Sequence, residues 1–180
     1  MKNYFISDTH FGHANVIKYS SRPFADVQDM DAAMIDRWNS VVTKDDNVYH
    51  LGDFAFHKVE RIEEILKQLN GKKHLVYGNH DQKIRKHEQL QKYFVWCKDF
   101  HEFKIDKQHI VLCHYSLRVW NGSHWGSIQL YGHSHNSLPG DAQTMDVGVD
   151  TGNDYTPYSY EQVLAKLSKG LPRQAVDHHV

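Results

Sequence analysis

Three times in the first eighty residues a short apolar run stops at a serine or glycine followed by a polar side chain. Residues 3–6 run into Ser7-Asp8, residues 47–51 into Gly52-Asp53, and residues 74–77 into Gly78-Asn79. Runs this short, bounded by turn residues, read as buried strands. Between them lie two stretches of helical period. Residues 28–42 place Met30, Ala33, Met34, Trp38 and Val41 on one face, and residues 59–69 do the same with Ile62, Ile65, Leu66 and Leu69. Strands alternating with amphipathic helices predict βαβ units and a mostly parallel sheet.

The second half changes character. Apolar runs at residues 100–105, 109–113, 128–131 and 145–149, with turns such as Asp106-Lys107, predict a meander of paired strands. A last helix over 160–169 has a capping-box start, Ser159-x-x-Gln162, and a stop at Gly170 followed by Pro172. The pattern therefore predicts one domain over residues 1–170 and a polar tail over 171–180. A chain of 180 residues is long enough for one continuous core.

Composition adds exclusions. The net charge of -1 offers no global attraction to nucleic acid or to anionic membrane, so any phosphate binding must be local. The basic residues Lys83, Arg85, Lys86 and Lys92 read as a solvated helix face, and no obligatory nucleic-acid partner is expected. No apolar stretch approaches the length of a signal segment or a membrane span, so a soluble, cytoplasmic protein without a membrane partner is expected. Cys97 and Cys113 fit neither a disulfide framework nor a thiolate metal site, and read as buried, reduced thiols. Histidine is unusually abundant, at 15 residues.

Most of the informative histidines fall at strand ends, where ligands bind in open α/β sheets. Those ends carry Asp8-Thr9-His10, Gly52-Asp53, Gly78-Asn79-His80-Asp81, Cys113-His114 and Gly132-His133-Ser134-His135. Taken singly, each has a plainer explanation. Asp8-Thr9-His10 can be an ordinary strand exit, residues 78–81 a tight turn or a helix cap, and His114 a packed core histidine. His133 and His135, two apart at a strand end, point the same way and suit a chelate. Together they supply two carboxylates, four imidazoles and one amide oxygen, with no thiolate, a set suited to Mn²⁺, Fe or Zn²⁺. Seven ligands exceed the needs of one ion and serve two if a carboxylate bridges them.

In this order the five blocks resemble the signature of the calcineurin-like metallophosphoesterase family: D-x-H, G-D, G-N-H-[DE], a lone H, and G-H-x-H, spanning Asp8 to His135. The resemblance implies an α/β fold in which two mixed β-sheets pack as a sandwich flanked by helices, a four-layer αββα arrangement, in a small member without a cap domain. It implies that Asp8, His10 and His135 hold one divalent ion, that Asn79, His114 and His133 hold the other, and that Asp53 bridges. Mn²⁺ is the first expectation, with Fe, Zn²⁺, Ni²⁺ or Mg²⁺ as alternatives. The implied reaction is hydrolysis of a phosphate ester by a hydroxide bridging the two ions. His80 is expected to contact the phosphate and protonate the leaving oxygen, with Asp81 orienting it or a loop amide.

Protein phosphatases of this family carry an aspartate three residues after the G-D aspartate, where this chain has Phe56; that departure weakens a protein phosphatase reading. His57 either enters the site or is a solvated loop residue. His13 is a candidate phosphate contact or part of a helix start, and Arg22 and Arg118 are candidate phosphate clamps or surface ion-pair partners. The segment 115–126, with Trp120, His124 and Trp125, forms either an aromatic wall or buried packing. A phosphodiesterase acting on a small phosphate ester or nucleotide is the first functional expectation. A phosphomonoesterase is the alternative, and a non-catalytic scaffold with the same fold a third reading.

Overall fold

A computed structural model describes residues 1–174. Strand β1 (Asn3–Ile6) is followed by α1 (Ala14–Tyr19), α2 (Val27–Val41), β2 (Asn47–His50), α3 (Val59–Gln68), β3 (Lys72–Val76), α4 (Gln82–Lys86), α5 (Glu88–Gln91) and β4 (Phe94–Lys98). Then come β5 (Phe100–Ile105), β6 (Gln108–Cys113), a single 3₁₀ turn (Ser123–Trp125), β7 (Ile128–Tyr131), β8 (Thr144–Asp146), β9 (Tyr158–Ser159) and α6 (Tyr160–Leu167).

These strands form two sheets, ordered β4-β3-β2-β1-β9 and β5-β6-β7-β8. In the first, β1 to β4 are parallel and β9 is antiparallel to β1. Alternation along β1 shows how it serves two cores: Tyr4 and Ile6 pack with the helices, while Phe5 points into the space between the sheets. The helical core gathers Met30, Met34, Trp38, Ile62, Ile65 and Leu90, so α2, α3 and α5 cover the outer face of the first sheet. The inter-sheet core gathers Phe5, Tyr49, Val76, Leu112 and Leu130, with Val163 and Leu167 of α6 sealing it. The expected sandwich of two mixed sheets with flanking helices is thus present.

The second half is not a meander. Only β5 and β6 form a hairpin; β6–β7 and β7–β8 are parallel pairs. Parallel neighbours need long crossovers, and the segments 114–127 and 132–143 supply them largely as loops. The first of these covers the outer face of the second sheet. Buried Gln129 bonds to the backbone of Tyr115 and Leu117, and Gln143 to the carbonyls of Ser123 and Ser127. Parallel pairing matters for function because it sends the carboxyl ends of β6, β7 and β8 to one edge. A parallel bridge between Ser7 and Gly148 joins that edge to the exit of β1.

Local signals account for the helix ends. Asp26 accepts from the Asp29 amide at the start of α2, and Ser159 and Gln162 form the reciprocal capping box anticipated for α6. Cys97 and Cys113 are free thiols, half-buried rather than fully buried. The domain extends past residue 170: the Leu171 carbonyl accepts from the Ala142 amide, and Arg173 pairs with Asp141 and lies over the Trp120 ring. Residues 175–180, the rest of the expected tail with His178 and His179, lie outside the described residues. Among the described residues no helix is long and apolar enough to cross a membrane.

Phe5 is fully buried between the sheets and stacks on its cross-strand neighbour Tyr49, ring centroids 5.4 Å apart. Phe5→Ala should cost about 3–5 kcal/mol, read as a lower urea midpoint at unchanged slope. A loss below about 1 kcal/mol would contradict tight packing of the two sheets at this position.

Candidate metal centre

The strand exits deliver all seven expected ligands to one edge, and they do so with unusual backbone. Asp8, His10, Asp53, His133 and His135 all have positive φ, between 44° and 67°. Left-handed backbone is unfavourable for a residue with a Cβ and persists where the surroundings enforce it. The glycines allow close approach: Gly52 sits at φ 98°, and a Cβ there would lie 2.6 Å from the Gly78 amide nitrogen and from His114 Nδ1. The β2 and β3 exits can therefore touch.

The potential ligand atoms of Asp8, His10 and His135 lie within 4.8 Å of one another, as do those of Asp53, His114 and His133. Asp53 connects the two groups. Its Oδ2 is 3.7 Å from His10 Nε2 and 3.6 Å from His114 Nε2, while its Oδ1 is occupied by the His80 amide. Asn79 Oδ1 lies 3.0 Å from His114 Nε2.

Hydrogen bonds fix which atoms face the shared space. His114 Nδ1 donates to the Leu51 carbonyl at 2.7 Å, leaving the lone pair of Nε2 turned toward Asp53 and Asn79. His135 Nδ1 bonds to Asp150 Oδ2 at 2.6 Å, which frees its other nitrogen in the same way. Both carboxylate oxygens of Asp8 accept from the His133 amide. His10 is the diagnostic residue: it is 3% exposed and neither ring nitrogen has a hydrogen-bond partner. Burial, helped by the nearby Asp146 and Asp53 carboxylates and opposed by His135 and Ser7, pushes the Asp8 carboxyl up to about 8; burial, with repulsion from His135 and Arg22, pulls the His10 imidazole down to about 2. Converging lone pairs and a buried, unpartnered imidazole are what a divalent cation would satisfy. The donor set of oxygens and imidazole nitrogens fits such ions.

A second row of residues holds these ligands. Arg22, expected as a phosphate clamp, is 4% exposed and fully engaged inside the domain. Its guanidinium donates to the carbonyls of Asp8 and Thr9 and to both oxygens of Asp150. It cannot reach substrate, because the fork is committed to the loop carrying Asp8 and His10 and to Asp150, which in turn holds His135. Asp150, absent from the sequence-based reading, is therefore central. Burial opposes its charge, yet the bonds from His135 and Arg22 hold its carboxyl below the usual range. Asp150 follows the apolar run 145–149 directly, so the strand-end pattern that marks the ligand candidates marks it as well, though not its partner Arg22.

Asp81, expected beside catalysis, is 1% exposed and accepts from the amides of Gly78, Asp53 and Phe54. It is a positioning residue that joins the β2 and β3 exits, in keeping with the loop-amide role. Burial pushes its carboxyl up to about 6 against the opposing amides. His57 does not enter the site; its Nε2 meets buried Asp31, whose other oxygen accepts from the Gly12 amide. Buried His50 accepts from the Gly52 amide and bonds Thr9 Oγ1, tying β1 to β2. Neither Asp31 nor His50 carries a pattern that marks it in the sequence.

The centre opens into a cleft of about 800 Å³ lined in part by His10, His13, Tyr19, His80, His133 and His135. His80 stands at its mouth, its side chain 45% exposed and Nε2 4.0 Å from Asp53 Oδ2. Phe56 sits between His13, stacked at 4.1 Å, and His80 at 4.8 Å. Arg118 is exposed in the crossover after β6, outside the cleft lining, and its carbonyl accepts from Arg173. Trp120 is buried packing, with its indole on Ser127, and Trp125 is 84% exposed. The aromatic residue of this segment that meets the site is Tyr115, edge-on to His114 and His133 at 4.9 Å.

Residues 1–149 match the family model of the calcineurin-like phosphoesterase superfamily domain. The chain belongs to this superfamily. An uncharacterized protein of Methanocaldococcus jannaschii is 33% identical over 178 residues, covering 94% of this chain and 93% of that protein. The gene 66 protein of Mycobacterium phage L5 is 36% identical over 81 residues, 43% of this chain and 39% of that protein. The solved structure of a protein of unknown function from Aquifex aeolicus superposes with a TM-score of 0.70 at 28% identity, covering 92% of this chain and 98% of that one. The superfamily match contains all seven ligand candidates; Asp150 lies one residue beyond it.

If Asp150 and Arg22 hold His135 for a cation, Asp150→Asn should weaken binding of one Mn²⁺ ion by about 10- to 100-fold. Calorimetric titration of the metal-free protein reads this directly, and equal affinities in variant and wild type would contradict the brace.

Proposed function

We propose that the chain is a phosphodiesterase whose reaction takes place at a two-metal centre. Asp8, His10 and His135 would hold one ion, Asn79, His114 and His133 the other, and Asp53 would contact both. The observation that carries this reading is Asp53 Oδ2, placed almost equally from His10 and His114 with its partner oxygen tied off by the His80 amide. When bound, two divalent ions supply a water acidified to near neutrality and charge neutralisation at the phosphoryl oxygens. Mn²⁺ is proposed for both positions.

The chain's own groups do the rest. His80 is placed over the Asp53 carboxylate with an exposed ring, where it can bond to a phosphoryl oxygen and pass a proton to the leaving oxygen. Asp81 and the Gly52–Gly78 contact keep the amide of His80 on Asp53, so ligand and proton donor move as one unit. The ester preference follows from charge. Among the described residues lining the cleft none is lysine or arginine, and Arg22 is neutralised by Asp150. A diester carries one negative charge and needs no clamp beyond the metals, whereas a monoester dianion or a polyphosphate gains from a cationic side chain. The free thiols and the absence of an apolar span in the described residues support a cytoplasmic setting as part of the same proposal.

The test is hydrolysis of bis(p-nitrophenyl) phosphate and p-nitrophenyl phosphate by metal-stripped protein to which Mn²⁺, Zn²⁺, Ni²⁺ or Mg²⁺ is returned. Metal-dependent turnover should favour the diester. Asp53→Asn should abolish it, and His80→Ala should lower kcat by about 10²- to 10⁴-fold for a diester with an alkyl leaving group, and by less for these nitrophenyl esters, whose leaving oxygen needs no proton, while metal stoichiometry stays at that of wild type. Turnover of neither ester with any metal would refute the enzyme and favour a scaffold; preference for the monoester would refute the diesterase.

A further inference from the structure

Two solvent-facing tyrosines stand at opposite ends of the metal centre, and the mechanism above uses neither. Tyr19, the last residue of α1, is 78% exposed, lines the cleft, and meets His13 edge-on at 6.5 Å. Through His13 it is continuous with Phe56 and His80, the side on which the leaving oxygen is protonated. Tyr115 is 46% exposed on the other side, its ring against His114 and His133 and its hydroxyl 3.5 Å from Asn79 Oδ1. Exposing large aromatic rings forfeits burial, and flat ligands recover it by stacking.

A phosphodiester has two arms, and the centre has two aromatic rims. Resting on the phosphodiesterase reading, we infer that the substrate carries a flat, uncharged aromatic group of nucleobase size on its retained arm, and that Tyr115 is the platform for it. The leaving arm lies on the Tyr19–Phe56 side, fixed there by His80. The cleft lining on the Tyr19 side has no lysine or arginine, which fits an uncharged leaving arm. Tyr115 acts on specificity: its ring touches the substrate, and its hydroxyl only fixes the ring against Asn79.

The test holds the leaving group constant and changes the retained arm. With Mn²⁺-loaded protein, kcat/KM is measured for thymidine 5′-(p-nitrophenyl phosphate) and for methyl p-nitrophenyl phosphate, both alkyl esters releasing p-nitrophenolate. The thymidine ester should be favoured by about tenfold or more, mainly through KM. Tyr115→Phe should keep the ratio, Tyr115→Ala should bring it near one, and Tyr19→Ala should leave it high. A wild-type ratio near one, or a ratio that survives Tyr115→Ala, overturns this inference while the phosphodiesterase reading stands. Failure to hydrolyse either ester overturns both.

Discussion

Asp8, Asp53, His10 and His114 are each 3% exposed or less, and their unshared lone pairs converge within a few ångströms. Without positive charge in that space the arrangement is unfavourable, since buried polar atoms are stabilised only when partnered. The rest of the edge is organised around holding it. Five of the seven ligand candidates adopt left-handed backbone, Gly52 and Gly78 approach each other closely, and Asp81 spends its carboxylate on three loop amides. Strain of this kind is expected where function and not stability sets the conformation.

The two ligand groups are held unequally. The group of Asp8, His10 and His135 is backed by the buried Arg22–Asp150 pair, which reaches across 128 residues of sequence to fix both loops. Removing either partner would leave a buried charge unsatisfied, so this pair constrains geometry more than it adds net stability. The other group is tied by Asp81 through loop amides, and among the described residues no buried ion pair backs it: His133 and Asn79 are exposed, and Tyr115 stands over them. One end of the centre is rigid and internal, while the other faces incoming substrate.

Much of this was legible in the sequence because strand exits are local. An apolar run followed by Gly-Asp or Gly-Asn-His announces both an element and its chemistry, and the blocks from Asp8 to His135 could be read without knowing what they touch. Long-range partners could not be. Arg22 read as a phosphate clamp because its true partner, Asp150, lies at the far end of the chain. Asp31 and His50 look like ordinary helix and strand residues until burial shows what they tie together. The expected meander fails for a related reason: run lengths are alike in hairpins and parallel pairs, and only the long crossovers 114–127 and 132–143 distinguish them. Strand β4 went unanticipated because it is a half-exposed edge strand with irregular register against β3.

The central claim is that Asp53 joins two cation positions. Anomalous diffraction from crystals grown with Mn²⁺ tests it most directly. Two peaks about 3.5–4 Å apart, flanking the Asp53 carboxylate, with His10 and His135 on one side and His114 and His133 on the other, are the predicted result. A single peak, or peaks that Asp53 does not contact, would contradict it.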